Sequence, residues 1–145
     1  MFKINSTNRL RHAGFGFAIL AGLCVGTANA SVHGGLSTHK EINEGLTVIA
    51  AGEMIQDKCN SITPRMIRAY SFAKSLESMA HQAGYNDKQI EEFVEDKKEK
   101  ARVKDAARAY LISKGLDPKR AESYCEVGLY EIERNSQIGV LLKAK

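Results

Sequence analysis

Cys59 and Cys125 constrain this chain more than any other pair of its residues. They are the only cysteines beyond residue 30, and 66 positions separate them. A bond between them would remove chain entropy worth on the order of 4 kcal/mol from the unfolded state. Such a bond persists only where the compartment oxidises thiols. The pair therefore has to be read together with the N-terminus.

Lys3, Arg9 and Arg11 form a basic start, Ala13 to Gly26 is apolar and rich in glycine, and Ala28-Asn29-Ala30 is a small-x-small site. This order predicts a cleaved signal peptide over residues 1–30. Leu23 is too bulky for the position before a lipidated Cys24, and the apolar stretch falls short of the roughly 18 residues that a spanning helix needs. The expected mature chain is Ser31 to Lys145 and periplasmic, with a flexible leader over 31–38 and a single helical domain over 39–145. Cys24 departs with the signal, and Cys59 and Cys125 are expected to close as a structural disulfide. A redox role is disfavoured because there is no Cys-x-x-Cys.

The formal charge of +4 is mostly a property of the signal. Three of the 21 Lys/Arg lie in the first thirty residues, which carry no Asp or Glu, and this leaves 18 basic against 17 acidic side chains. Such a balance offers no phosphate-tracking stripe, so no nucleic-acid partner is expected. Nor does the mature chain hold an apolar run long enough for a transmembrane span.

Apolar residues recur at steps of three and four, the period of a helix. Thr38 is a candidate N-cap with Glu41 three residues on, and Ile42, Leu46, Ile49, Ala50, Met54 and Ile55 share one side of a first helix that ends near Cys59. A second helix is predicted from Ser61 with Pro64 in its first turn, a buried stripe of Met66, Ile67, Tyr70, Ala73, Leu76 and Ala80, and a stop at Gly84. Asn86-Asp87 opens a long third helix to Gly115, with Ile90, Phe93, Val94, Ala101, Tyr110 and Leu111 apolar and an Asp96–Lys100 pair outside. Asp117-Pro118 opens a fourth, with Ala121, Tyr124, Cys125, Gly128, Leu129 and Ile132 inside. Asn135-Ser136 breaks it, and Ile138 to Leu142 is a short apolar tail. No segment alternates with period two. The fold class is all-α: an antiparallel bundle of four main helices with a short C-terminal helix and one disulfide. The tail either folds back on the bundle or presents Ile138, Val140, Leu141 and Leu142 as a surface for a protein partner.

Chemistry is sparse. His33, His39 and His81 are scattered, without a zinc-binding turn. Glu91, Glu92, Glu95, Asp96 and Glu99 read as a solvated face, although a buried acid pair stays open. Tyr70, Tyr85, Tyr110, Tyr124 and Tyr130 read first as core residues with hydrogen-bond partners. No catalytic, cofactor-binding or metal-binding residue is expected, and no cofactor.

From Cys59 onward a set of segments is distinctive: Arg65-Met66, Ser75-Leu76-Glu77, Ala83-Gly84-Tyr85, Glu99-Lys100-Ala101-Arg102, Ala109-Tyr110-Leu111 and Ser123-Tyr124-Cys125. Glu131-Ile132 and Ile138-Gly139-x-Leu141-Leu142 complete it. Over roughly positions 42 to 143 the chain resembles a small exported family of unknown function from Rhodobacter-like alphaproteobacteria, domain-of-unknown-function family 5333. The family usually has Gly where this chain has Asn135. The resemblance implies export and a paired Cys59 and Cys125, and it supplies no activity. Through gene context it implies contact with a membrane respiratory complex, the NADH dehydrogenase. The expected role is a non-enzymatic periplasmic interaction or accessory protein, with a periplasmic stress chaperone as the alternative.

Overall fold

The structure, a computed structural model, describes residues 35–145. The expected signal peptide, His33 and the first half of the expected leader lie outside the described residues. Five α-helices follow one another: α1 Lys40–Lys58, α2 Met66–Gln82, α3 Asp87–Glu95, α4 Lys97–Ser113 and α5 Ala121–Glu133. Two strands, β1 Ile62–Pro64 and β2 Leu142–Ala144, pair antiparallel, with Thr63 opposite Lys143. Single 3-10 turns over Leu36–Thr38 and Gly139–Leu141 precede α1 and β2.

The helical class holds, and the helix starts account for most differences from expectation. Thr38 does not cap α1. Its hydroxyl bonds Gly35, His39 takes the N-cap place, and the Asn43 carboxamide donates to the carbonyls of Leu36 and His39. Leu36, expected in a flexible leader, is buried. Ser61 and Pro64 do not open α2. That stretch is β1, and the Arg65 N–H donates to the Leu141 carbonyl at 2.7 Å. A proline fits there because an edge position needs no donor.

The expected third helix is two helices. The Asp96 carboxylate accepts from the backbone N–H groups of Lys98 and Glu99, so it caps α4 instead of pairing with Lys100. Asn86 and Gln89 form the reciprocal capping box that opens α3. Asp117 to Arg120 is a separate turn, closed by Arg120 N–H onto the Asp117 carbonyl, and α5 starts only at Ala121. Gly84 and Gly115 end α2 and α4 at φ +93° and +99°, where a side chain would be strained. Asn135, at φ 50°, takes the same left-handed turn after α5.

α1 is the axial element and packs against α4, α5 and α2. The main core gathers Ala51 and Ile55 of α1, Cys59 at its C-cap, Ile62 of β1, Ala107 and Leu111 of α4, Val127 of α5, and Ile138 and Leu142 of the tail. The Cys59–Cys125 disulfide ties the end of α1 to α5 beside it. A smaller core holds Leu36, Ile42, Ala80 and Tyr85, with Ile90 and Phe93 half-buried over it. Among the described residues no helix is long and apolar enough to cross a membrane.

Candidate functional site

Of the two readings of the tail, the one in which it folds back on the domain describes its place, and Ile138, Val140, Leu141 and Leu142 form no open surface. Ile138, Leu141 and Leu142 are buried and Val140 is half-buried. One cause is β-pairing: Leu142–Ala144 completes a ladder with β1, so the segment is a strand after one 3-10 turn, not a helix. A second is Gly139, where any Cβ would collide with the Glu131 carbonyl, so the tail backbone lies directly on α5.

The open apolar surface lies elsewhere. A cavity of about 220 Å³ runs between α1, α2 and α3, lined by Ile42, Leu46, Ile49, Leu76, Ala80 and Phe93 among others. Glu77 is the one ionisable group in its wall. A second hollow of about 200 Å³ shares Ile49 and Ala73 with it and continues past Gly52 and Met66 to Leu141 and Leu142. A third, shallower one shares Leu46, Phe93 and Val94 and ends at Val103 of α4. Together they make a groove along the flank of α1. Small-molecule pockets usually enclose about 300–1,000 Å³. Each hollow here is smaller, which suits individual apolar side chains of a docked element.

The groove exists because α2 does not bury the stripe read from its sequence. Leu76 and Ala80 are buried, but Met66, Ile67 and Tyr70 are 68%, 84% and 66% exposed. α2 lies on α1 through its C-terminal half. In the crossing, Leu76 occupies the space that a side chain at Gly45 would need.

The sequence reading passed over Glu131, the one buried carboxylate among the described residues. It is fully enclosed on the inner face of α5. It accepts from the Tyr110 hydroxyl at 3.2 Å and from Arg134 Nε at 3.1 Å, while Arg134 also donates to the Tyr110 oxygen at 3.0 Å. Burial, then the Glu131 charge, pushes the Tyr110 hydroxyl above its ordinary value, and the hydrogen bond to Glu131 holds the Arg134 guanidinium charged. Position offered the signal: Glu131 stands four residues after Val127 and three before Arg134. Its place inside means that Leu129, expected in the core, is 46% exposed. Tyr110 and Arg134 also wall a cavity of about 410 Å³ with Thr47, Val48 and Ile138. Glu131 itself is shut off from that space, so it orients Tyr110 and Arg134 and does not touch what enters.

Glu77, His81 and Asp87 bring ligand atoms within 4.8 Å of one another at the α2–α3 corner, and they are the residues that could hold a metal ion. Their present partners are each other and Lys74. His81 Nε2 lies 3.2 Å from Asp87, His81 Nδ1 faces the Tyr85 carbonyl at 3.0 Å, and Lys74 bonds Glu77 at 2.5 Å. His39 packs edge-on against the buried Tyr85. Tyr110 and Tyr124 are half-buried, and Tyr130 is exposed beneath Arg134.

No curated protein and no solved structure matches the chain. One family model does, over residues 34–143, a span that takes in all five helices, β1, most of β2 and the disulfide. The chain belongs to the Family of unknown function (DUF5333).

Proposed function

We propose that this is an exported, periplasmic, non-enzymatic interaction protein that receives an apolar helical face of a protein partner along α1. The apolar groove between α1, α2 and α3 carries the reading. An amphipathic helix docks by inserting residues spaced three and four apart into such a groove. The joined hollows run along α1, and their mostly apolar walls, with Glu53, Glu77, Glu99 and Lys100 as the charged residues among them, limit the desolvation cost of docking. The signal-like N-terminus supports export, and the Cys59–Cys125 bond suits an oxidising compartment. The resemblance stated above makes a respiratory NADH dehydrogenase the first partner to test, with this protein as an accessory subunit.

The test places a photocrosslinking residue at Ile49, in the groove, and at Lys119, away from it, and irradiates living cells. One dominant adduct from position 49, identified as a subunit of the respiratory complex, supports the reading. Equal adducts from both positions overturn it. A broad set of envelope proteins at position 49, rising under acid stress, would turn the assignment to the chaperone alternative.

A further inference from the structure

The groove leaves unexplained why one face of the first two turns of α2 is open, although Met66 and Ala69 also wall the cleft toward Leu141 and Leu142. Met66, Ile67 and Tyr70 are the most exposed large apolar side chains among the described residues. In a helix, positions i, i+1 and i+4 share a face, so the three form one patch. Scattered exposed apolar residues are ordinary, and what surrounds them decides their meaning. Leu129 and Tyr130 of α5 sit among Glu126, Glu133 and Arg134, Val94 of α3 stands between Glu91 and Glu95, and Ile112 of α4 is a single exposed residue. Around Met66 the pattern differs. From Cys59 through Leu76 the chain carries Arg65, Arg68 and Lys74 and no Asp or Glu.

The sheet brings a second acid-free segment to the same end. Ile138 to Lys145 carries Lys143 and Lys145, with Lys143 opposite Thr63 and the Lys145 N–H bonded to the Ser61 carbonyl. Two stretches far apart in sequence thus bring four bases, Arg65, Arg68, Lys143 and Lys145, to the end of the domain at which the apolar patch begins. The acids of α1 toward this end are Glu53, in the wall of the cleft beside Met66, and the exposed Asp57 in the last turn of the helix.

We infer that the start of α2 together with β2 is a membrane-facing surface that seats on anionic lipid headgroups, a property that goes beyond the protein-docking groove. Each part matches one layer of the bilayer surface. Ile67 and Met66 enter the boundary between headgroups and acyl chains, as the apolar face of an interfacial helix does. Tyr70, with an apolar ring and a polar end, suits the interface itself. Arg65, Arg68, Lys143 and Lys145 meet lipid phosphates, and their attraction falls off within a Debye length. The short patch and the lack of a spanning helix among the described residues make this reversible surface attachment.

The test is flotation of the protein, purified from the envelope with its N-terminus determined, on vesicles of phosphatidylglycerol and phosphatidylethanolamine or of phosphatidylcholine alone. The unaltered protein is expected to float with the anionic vesicles and less with the neutral ones, and rising salt weakens the difference. The double variant Met66→Ser/Ile67→Ser, carrying the same N-terminus, is expected to lose binding by about tenfold or more while its thermal midpoint stays unchanged. Arg68→Gln/Lys143→Gln is expected to lose less and to flatten the salt dependence. Failure to float with anionic vesicles overturns the inference, as does equal binding by Met66→Ser/Ile67→Ser or equal binding to neutral vesicles. A dimer dissolved by Met66→Ser/Ile67→Ser, with no vesicle binding, overturns it in favour of a second copy on this face.

Discussion

α1 has two unlike flanks. On one, α4, α5 and the tail close over Ala51, Ile55 and Leu111, all fully buried, and a disulfide locks the end. On the other, α2 and α3 cover α1 with half-buried Leu46, Ile49, Ile90 and Phe93 and leave a groove, and α3 buries no residue completely. Fully buried side chains, a disulfide and an enclosed, paired carboxylate mark the flank that holds the fold together, with a cavity of about 410 Å³ beside Tyr110 and Arg134 at its edge. Open apolar surface marks the other flank. Hydrogen-exchange protection should divide the same way, with α2 and α3 opening at lower free energy than α5.

The sharpest way to break this comparison is to cut the locked flank. Replacing Cys59 and Cys125 together by Ser is expected to cost about 4 kcal/mol in urea unfolding, the entropy of a 66-residue closure. A loss near zero would mean that the flank does not rely on its clasp. Next come paired truncations. Leu111→Ala empties a fully buried site of α4 and should cost about 3 kcal/mol. Ile90→Ala on α3 removes a half-buried side chain beside the groove and should cost about 1 kcal/mol. Equal losses would erase the distinction between the flanks.

The polar node gives a smaller, pH-dependent effect. Tyr110→Phe removes one hydrogen bond to the Glu131 carboxylate and another from Arg134, a loss of about 1.5 kcal/mol at neutral pH. Burial holds the folded Tyr110 value above the unfolded one, which is 10.0. Its stabilisation is therefore complete below pH 10.0 and is lost as pH rises through the higher folded value. Alkaline melts of the unaltered protein should fall more steeply there than those of Tyr110→Phe. Parallel melts would place the tyrosine outside the node.

Much of the locked flank could be read from sequence, because regular spacing and side-chain chemistry carried the information. Ala50, Met54 and Ile55 follow the helical period, the two cysteines pair, and Gly115 stops α4. Three kinds of feature escaped. Asp96 ends one helix and caps the next, yet its neighbours are good helix formers on both sides. β1 is three residues long, too short for alternation to show, and its partner lies at the far end of the chain. The third is the groove. The apolar stripe of α2 is visible in the sequence, but whether the domain covers it depends on how α2 crosses α1. Glu131 ran against the general rule that acids stay outside, and only its alignment with Val127 and Arg134 hinted otherwise.

The smallest effect tests how the open flank is held at its corner. Glu77 stands on α2 at the groove wall, bonded to Lys74. That bond lowers the Glu77 carboxyl below its ordinary 4.5 and raises the Lys74 ammonium above 10.5. The sign for Glu77 follows from the lowered value. Its contribution is present above pH 4.5 and is lost as pH falls below that through the folded value. Lys74 contributes below pH 10.5 and loses its share as pH rises through its own folded value. Both side chains are substantially exposed, so water and salt screen the pair. Glu77→Gln should therefore leave the neutral melting point nearly unchanged and make the melting curve less dependent on pH in acid, where variant and unaltered protein converge. A large neutral loss would show that this corner bears weight like the locked flank, and the two sides of α1 would then be more alike than their packing indicates.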